Sequence, residues 1–367
     1  MKIKVFSICD NNNYGNRLQN YALDCFLSKH FGLCKSSWWV KEYWHFKSQK
    51  VYSIKSLIKY IINWNGRKED VERAVRYDAI REFNISKFTY SKIMMDYDEL
   101  FDCNLNASCD YFIVGSDQVW NPLFWRNIDE YSNAYFLKFA DENKRIAYAA
   151  SFGISELPCK YNDLFKRGLD GIPYISVREQ AGAEIVKKLT GREVPVLVDP
   201  TLLIYAEEWR ALKMQPEWYR GEKYILTYFL GNVPPMIKKL AKEYDLKIYN
   251  LMDKECLDLY VSRVEEFLYL IDNAELVCTD SFHACVFSIL FNTPFVVVSR
   301  QQKGVADMTS RLDTLMKLFG YQERYVGFEN ENIDFTKLLN MDFKHVKDIQ
   351  RIERKRSLAF LKEALKA

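Results

Sequence analysis

Short runs of apolar, β-branched and aromatic residues recur along this chain, each closing on a small or polar loop, most of them ahead of a helical pattern. Residues 110–116, Asp-Tyr-Phe-Ile-Val-Gly-Ser, show the form. A strand that is apolar along its whole length is buried on both faces, as in a parallel sheet covered by helices. Such strands are expected at 2–9, 110–116, 144–151, 174–178 and 194–198, and again at 223–230, 247–251, 275–278 and 294–299. Helices are expected from near Asn16, where Leu18, Tyr21, Ala22, Cys25 and Phe26 repeat at helical spacing, and at 179–190, 264–273, 308–319 and 346–365, with a helix and a linker over 207–219, where Pro216 stands inside. Residues 50–105 read as helical and irregular. The strand–helix rhythm pauses near 205–222 and then restarts. The expected fold class is therefore α/β, with two Rossmann-like domains facing a cleft. The first would span 1–205, the second 206–340. Residues 341–367 would form a C-terminal helix packing back on the first domain.

A chain of 367 residues suits two such domains, and 49% hydrophobic residues can fill both cores. A net charge of only +3 argues against a nucleic-acid partner, which needs a concentrated basic face. Segments 160–167 and 351–356 are locally basic, and the last helix would put Lys347, Arg351, Arg354 and Lys362 on a solvated face. That face allows peripheral membrane contact at most. The nine cysteines include no C-x-x-C pair, so neither a disulfide framework nor a zinc site is expected. No signal peptide is expected, because Met1-Lys2-Ile3-Lys4 leads straight into a strand, and the apolar run 289–298 is too short to span a bilayer. These features predict a cytoplasmic protein, peripheral to the inner face of the membrane if it touches one. The 24 Tyr, 24 Phe and 8 Trp would serve mainly as core, with some exposed rings free to stack on sugars.

The loops that end the strands carry the chemistry, since ligands in such sheets bind beyond the carboxyl ends. Asn13-Tyr14-Gly15-Asn16-Arg17 opens a helix, where exposed amides favour an anion or a sugar hydroxyl; a simple cap by Asn16 explains it equally well. Gly115-Ser116-Asp117-Gln118-Val119-Trp120-Asn121 sets carboxamides, a carboxylate and a hydroxyl beside an indole, as carbohydrate binding requires; the alternative is a turn with Trp120 in the core. Arg178 ends a strand and can grip a carboxylate or phosphate with two parallel bonds, or form a salt bridge with Glu179 or Asp199. Thr279-Asp280-Ser281-Phe282-His283 leads into an apolar helix, with Asp280 or Ser281 as N-cap and His283 in the first turn. Gly231-Asn232 turns the first strand of the second half. No G-x-S-x-G elbow, P-loop, H-E-x-x-H or full G-x-G-x-x-G fingerprint is present.

Taken in order, 13–20, 114–121, 176–179, 198–201, 228–231 and 279–283 resemble the polysaccharide pyruvyl transferases over roughly residues 1 to 320. The resemblance implies a fold similar to the GT-B glycosyltransferases. It implies transfer of pyruvate from phosphoenolpyruvate onto a sugar of a cell-surface polysaccharide precursor, exopolysaccharide or capsule, as a cyclic ketal. No cofactor or metal is called for; phosphoenolpyruvate is the donor substrate, and the partner is a saccharide acceptor, lipid-linked or free. Arg178 matches the family arginine that grips the donor and His283 the family histidine, so both are the expected catalytic residues. Ser281, Gly231, Asn232, Arg300 and Lys303 join them around the donor. Asn13, Gly15, Asn16, Ser116, Asp117, Gln118, Trp120 and Asn121 are expected around the acceptor. Some relatives carry Arg-Leu-His where this chain has Ser281-Phe282-His283, which removes one cation for Arg300, Lys303 or Arg311 to replace. The alternatives are a GT-B glycosyltransferase using a nucleotide-sugar and a non-catalytic glycan-binding relative.

Overall fold

The computed structural model describes residues 1–10, 12–32, 34–36, 64–87, 101, 103–229, 232–298, 310–328 and 334–367. Ten strands form two five-stranded sheets in which every pairing is parallel. The first contains β1 (Ile3–Phe6), β2 (Cys34–Ser36), β3 (Tyr111–Val114), β4 (Arg145–Ala150) and β5 (Tyr174–Val177) in the order β2-β1-β3-β4-β5. The second contains β6 (Tyr224–Tyr228), β7 (Lys247–Asn250), β8 (Leu276–Thr279), β9 (Phe295–Val298) and β10 (Tyr325–Val326) in the order β10-β9-β8-β6-β7. Both sheets thus repeat one topology, in which the chain reverses its direction of travel after the second strand. The crevice at that reversal, between the first and third strands, is where open α/β sheets bind ligands. Here it falls between β1 and β3, and between β6 and β8. The central strands β3, β6, β8 and β9 are almost wholly buried, as their continuous apolar runs require.

The helices that matter to the site are α1 (Tyr14–Phe31), α2 (Trp64–Lys87), α3 (Gln180–Thr190), α4 (Val264–Asp272), α5 (Phe282–Phe291), α6 (Ser310–Phe319) and α7 (Val346–Ala364). Helix α1 starts two residues before the expected Asn16, because the Asn13 side chain caps it by accepting from the Asn16 amide. Two other expectations also change. Residues 194–198 do not form a strand: Val196 makes a single bridge to Val177, and Pro195 has no amide to continue a ladder. Of the helix and linker expected over 207–219, the helix is short, closing at Arg210, and Pro216 keeps the preceding residue out of helical space.

Residues from both sheets share one apolar core. Tyr14 of α1 stacks on Phe267 of α4 with ring centres 4.6 Å apart, and its hydroxyl donates to the Ser262 carbonyl at 2.7 Å. Trp209 is fully buried between Tyr21 of α1 and Phe287 of α5. Helix α7 folds back across the first half, where the Gln350 amide donates to the carbonyls of Leu202 and Ile204. Lys347, Arg351 and Lys362 are exposed, but Arg354 is not on the solvated face. Its guanidinium lies 4.0 Å from the Tyr205 ring centre, because a long cationic side chain covers apolar surface with its stem. No described helix is long and apolar enough to cross a membrane. Cys9, Cys25, Cys109, Cys159, Cys256, Cys278 and Cys285 are free thiols, and burial pushes those of Cys278 and Cys285 up.

Candidate functional site

The loops after β1 and β3 meet through Asn16. Its side-chain oxygen accepts from the Asp10 amide at 2.8 Å and from Arg17, while its amide donates to Asp117. Asp117 adopts a φ of 52°, a left-handed conformation that aspartate tolerates better than most residues. That conformation turns its carboxylate toward Arg178, the first residue beyond β5, whose Nη2 lies 3.6 Å away. Arg178 Nη1 donates to Asp199 Oδ2 at 2.6 Å. Asp199 divides its two oxygens between tasks: Oδ1 accepts from the amide and hydroxyl of Thr201 at 3.0 and 2.7 Å, and Oδ2 faces Arg178 and His283.

His283 reaches the same oxygen from the other sheet. It lies in the first turn of α5, with Nε2 3.5 Å from Asp199 Oδ2, too long for a hydrogen bond. Among the described residues, Nε2 has no hydrogen-bond partner. The other side of the ring rests on Gly15: a Cβ there would stand 2.1 Å from His283 Nδ1. Gly15→Ala is therefore expected to displace the imidazole and cost about 1–3 kcal/mol as overpacking. Urea unfolding checks this, and an unchanged midpoint would show that the ring can move aside freely.

Burial alone would raise the Asp199 carboxyl. The charges and hydrogen-bonding capacity of His283 and Arg178 outweigh it and hold that carboxyl well below the usual carboxylate range. Asp117 is held low in the same way, with burial opposed by Arg178, His283, Asn16 and Arg311. Ser281 occupies the N-cap of α5 and makes no side-chain cap there. The Phe282 ring lies under the Arg178 guanidinium at 4.8 Å and within 5.9 Å of that of Arg311.

The structure thus brings Asn13, Gly15, Asn16, Asp117, Arg178 and His283 into one constellation of hydrogen bonds and close contacts, with Ser281 at its edge. Three of the expected acceptor residues are buried and hydrogen-bonded within the fold. Trp120 is fully buried, with its indole N–H donating to the Tyr135 carbonyl and its ring against Phe136 and Phe152, so no face is open to a sugar. Ser116 is buried and donates to the Ala149 carbonyl. Asn121 caps the turn at Pro122–Phe124 and donates to Gln118. Gln118 keeps partial exposure, packed over Gly153, and Asn232 is exposed beyond β6. Gly231, Arg300 and Lys303 lie outside the described residues.

Three participants were not among the expected site residues. Asp199 is legible in sequence only as one alternative salt-bridge partner of Arg178; that the same oxygen also meets His283 is a tertiary fact. Glu179 is buried and gathers the Ser151 hydroxyl and the amides of Phe152 and Gly153 onto one oxygen, fixing the loop after β4. Arg76 of α2 crosses into the second half, lies 4.6 Å over the Tyr14 ring and donates to the Leu251 carbonyl at 3.1 Å. Arg76 sits in no motif that spacing could expose, and what Glu179 does within the 176–179 motif shows only in the fold.

The family profile for polysaccharide pyruvyl transferases matches residues 13–302, which contain every member of this constellation except Arg311. No curated protein matches the chain. Among solved structures, the UDP-N-acetylglucosamine 2-epimerase of Rickettsia bellii aligns with a TM-score of 0.53 at 10% identity, over 100% of this chain and 97% of that one. The UDP-GlcNAc 2-epimerase of Neisseria meningitidis, bound to UDP-GlcNAc, aligns with a TM-score of 0.50 at 11% identity, over 98% and 100%. At such identities the likeness speaks to the fold alone, which is of the GT-B type. With the profile covering most of its length, the chain belongs to the polysaccharide pyruvyl transferase family, a family of enzymes that act on polysaccharide.

Proposed function

We propose that this enzyme takes pyruvate from phosphoenolpyruvate and attaches it to a sugar of a cell-surface polysaccharide precursor as a cyclic ketal, releasing phosphate. One observation carries the reading: Arg178 and His283, which follow strands of different sheets, converge on a single oxygen of Asp199. That convergence supports a donor seated where the two halves meet, with a cation for its charged groups beside a group able to move a proton.

Phosphoenolpyruvate is an enol ester, so the first requirement is a proton at its methylene carbon. His283 Nε2 is our candidate donor, since no hydrogen bond holds it elsewhere among the described residues. Protonation leaves an oxocarbenium-like centre at the adjacent carbon. A sugar hydroxyl adds there and returns its proton to the imidazole. The phosphate then departs with the electrons of its bond to that carbon. A second hydroxyl of the sugar closes the ring, its proton leaving with the phosphate. Arg178 and the uncapped amides of α5 would hold the donor's carboxylate and phosphate. Asn13, Gln118 and Asn232, the expected residues that keep exposed polar groups, are proposed to face the acceptor or donor from the loops after β1, β3 and β6.

A thermal-shift series tests the donor. Phosphoenolpyruvate at about 100 times its dissociation constant is expected to stabilise the folded chain by roughly 2.7 kcal/mol. A response to UDP-sugars, with none to phosphoenolpyruvate, would instead identify a nucleotide-sugar glycosyltransferase. Stabilisation without phosphate release on adding acceptor would identify a glycan-binding relative.

A further inference from the structure

The charges around the donor position do not balance for an anionic ligand. Arg178 faces two carboxylates, Asp199 at 2.6 Å and Asp117 at 3.6 Å, both held ionised. Before His283 is counted, that trio is net negative. A phosphate monoester brings about 1.5 to 2 further negative charges, so Arg178 alone cannot attract one. Another cation has to stand within reach, and the helix that packs against α3 carries it.

We infer that Arg311, at the start of α6, is the cation that binds the phosphoryl group of the ligand, set in place by the Phe282 ring that it shares with Arg178. Two independent contacts fix it there. The first is the ring: the guanidinium carbons of Arg178 and Arg311 lie 4.8 and 5.9 Å from its centre, both within cation–π range. The second lies one turn further along α6. The Thr314 hydroxyl accepts from the amide of Gln180, the first residue of α3, at 3.2 Å. No side chain caps α3, so this bond satisfies one of its orphan donors and pins α6 to the end of β5. Residues three apart share a helix face, so the same bond turns Arg311 toward Arg178. Arg311 also contributes to holding Asp117 ionised, which places its charge in the same neighbourhood.

The assignment explains how the site carries serine at 281. A residue at the N-cap of α5 and one at the start of α6 flank Phe282 from different elements, and this chain carries its cation on the second. It deepens the proposed function by naming the phosphate ligand, yet it holds for any phosphorylated donor.

Binding of inorganic phosphate, phosphoenolpyruvate and UDP to the full chain tests it, by calorimetry on the wild type, Arg311→Ala, Arg311→Lys and Ser281→Arg combined with Arg311→Ala. Loss of one charge-assisted pair should weaken phosphate and phosphoenolpyruvate by roughly 10- to 100-fold in Arg311→Ala. Lysine should recover part of that loss, and the arginine at 281 should recover part of it from the other side of the ring. Arg311→Ala binding phosphate within about threefold of wild type, an expectation set by that same single-pair range, would overturn the assignment. So would a wild type that binds none of the three. If UDP alone binds, and binds through Arg311, the assignment stands and the phosphoenolpyruvate reading falls. Arg311 is only half-buried, and ligand-free unfolding midpoints identify any variant that fails to fold; Arg311→Lys then carries the comparison.

Discussion

Replacing His283 with alanine is expected to lower the rate of phosphate release by about two to four orders of magnitude, the usual worth of one general acid. The folded chain should survive the change. The imidazole's only polar contact among the described residues is the 3.5 Å approach to Asp199, and α5 is held by an apolar core that the change does not touch. The effect should therefore fall on turnover more than on donor affinity, because Arg178 and the α5 amides would still hold phosphoenolpyruvate. Steady-state kinetics with circular dichroism as a fold control makes the comparison. Near-normal turnover would remove His283 from the proton transfer. A matched loss in turnover and melting temperature would make it a structural histidine.

Asp199→Ala is expected to cost about 3–5 kcal/mol of stability, because it leaves the Arg178 guanidinium buried without its nearest counter-charge. The side chains of Arg178 and Asp199 are 1% and 0% exposed, so water cannot replace the lost partner. The cap on Thr201 disappears in the same step. Asp199→Asn separates the two losses, since an amide oxygen can still accept from Thr201 while the charge is gone. Its cost should be smaller, and donor binding should still suffer as Arg178 loses its fixed orientation. The acid limb gives a second readout. Asp199 and Asp117 have carboxyls held below the ordinary aspartate value near 3.9, so the stability they lend is complete above about pH 5. It is lost as pH falls through their lower folded-state values. Asp199→Asn has one such carboxylate fewer, so its stability should fall less steeply with acid below about pH 4 than that of the wild type. Equal slopes, or an alanine variant as stable as wild type, would show that the pair is not the counter-charge described here.

The parts of the fold that could be read from sequence were those with strong local signals. The strands from 110, 144, 174, 223, 275 and 294 carry the apolar runs expected of parallel strands covered on both faces, whereas the one from 247 is a partly exposed edge strand. Two of the four edge strands were missed because Cys34–Ser36 and Tyr325–Val326 are short and carry no such run; neighbours, not composition, make them strands. Residues 194–198 misled in the other direction, since their valines read as strand while Pro195 interrupts the ladder. At the site, the cap at Asn13, the glycine at 15 and the first-turn placement of His283 follow from local chemistry, although the cap itself lies three residues before the one expected. Trp120 shows the limit. An indole in a polar loop is equally compatible with a sugar platform and a core residue, and only packing against Phe136 and Phe152 decides.

The sequence by itself determined the class of fold, the repetition of one α/β unit and the ordered motifs that mark the family, because periodicity and loop chemistry act over a few residues. Tertiary structure alone decided that Arg178 and His283 share one oxygen of Asp199, that Gly15 makes room for the imidazole, and that Arg311 stands beside Phe282. Those contacts join residues up to 268 positions apart, as Gly15 and His283 are. No local propensity encodes such a distance; it is set by how two separately formed sheets share one core.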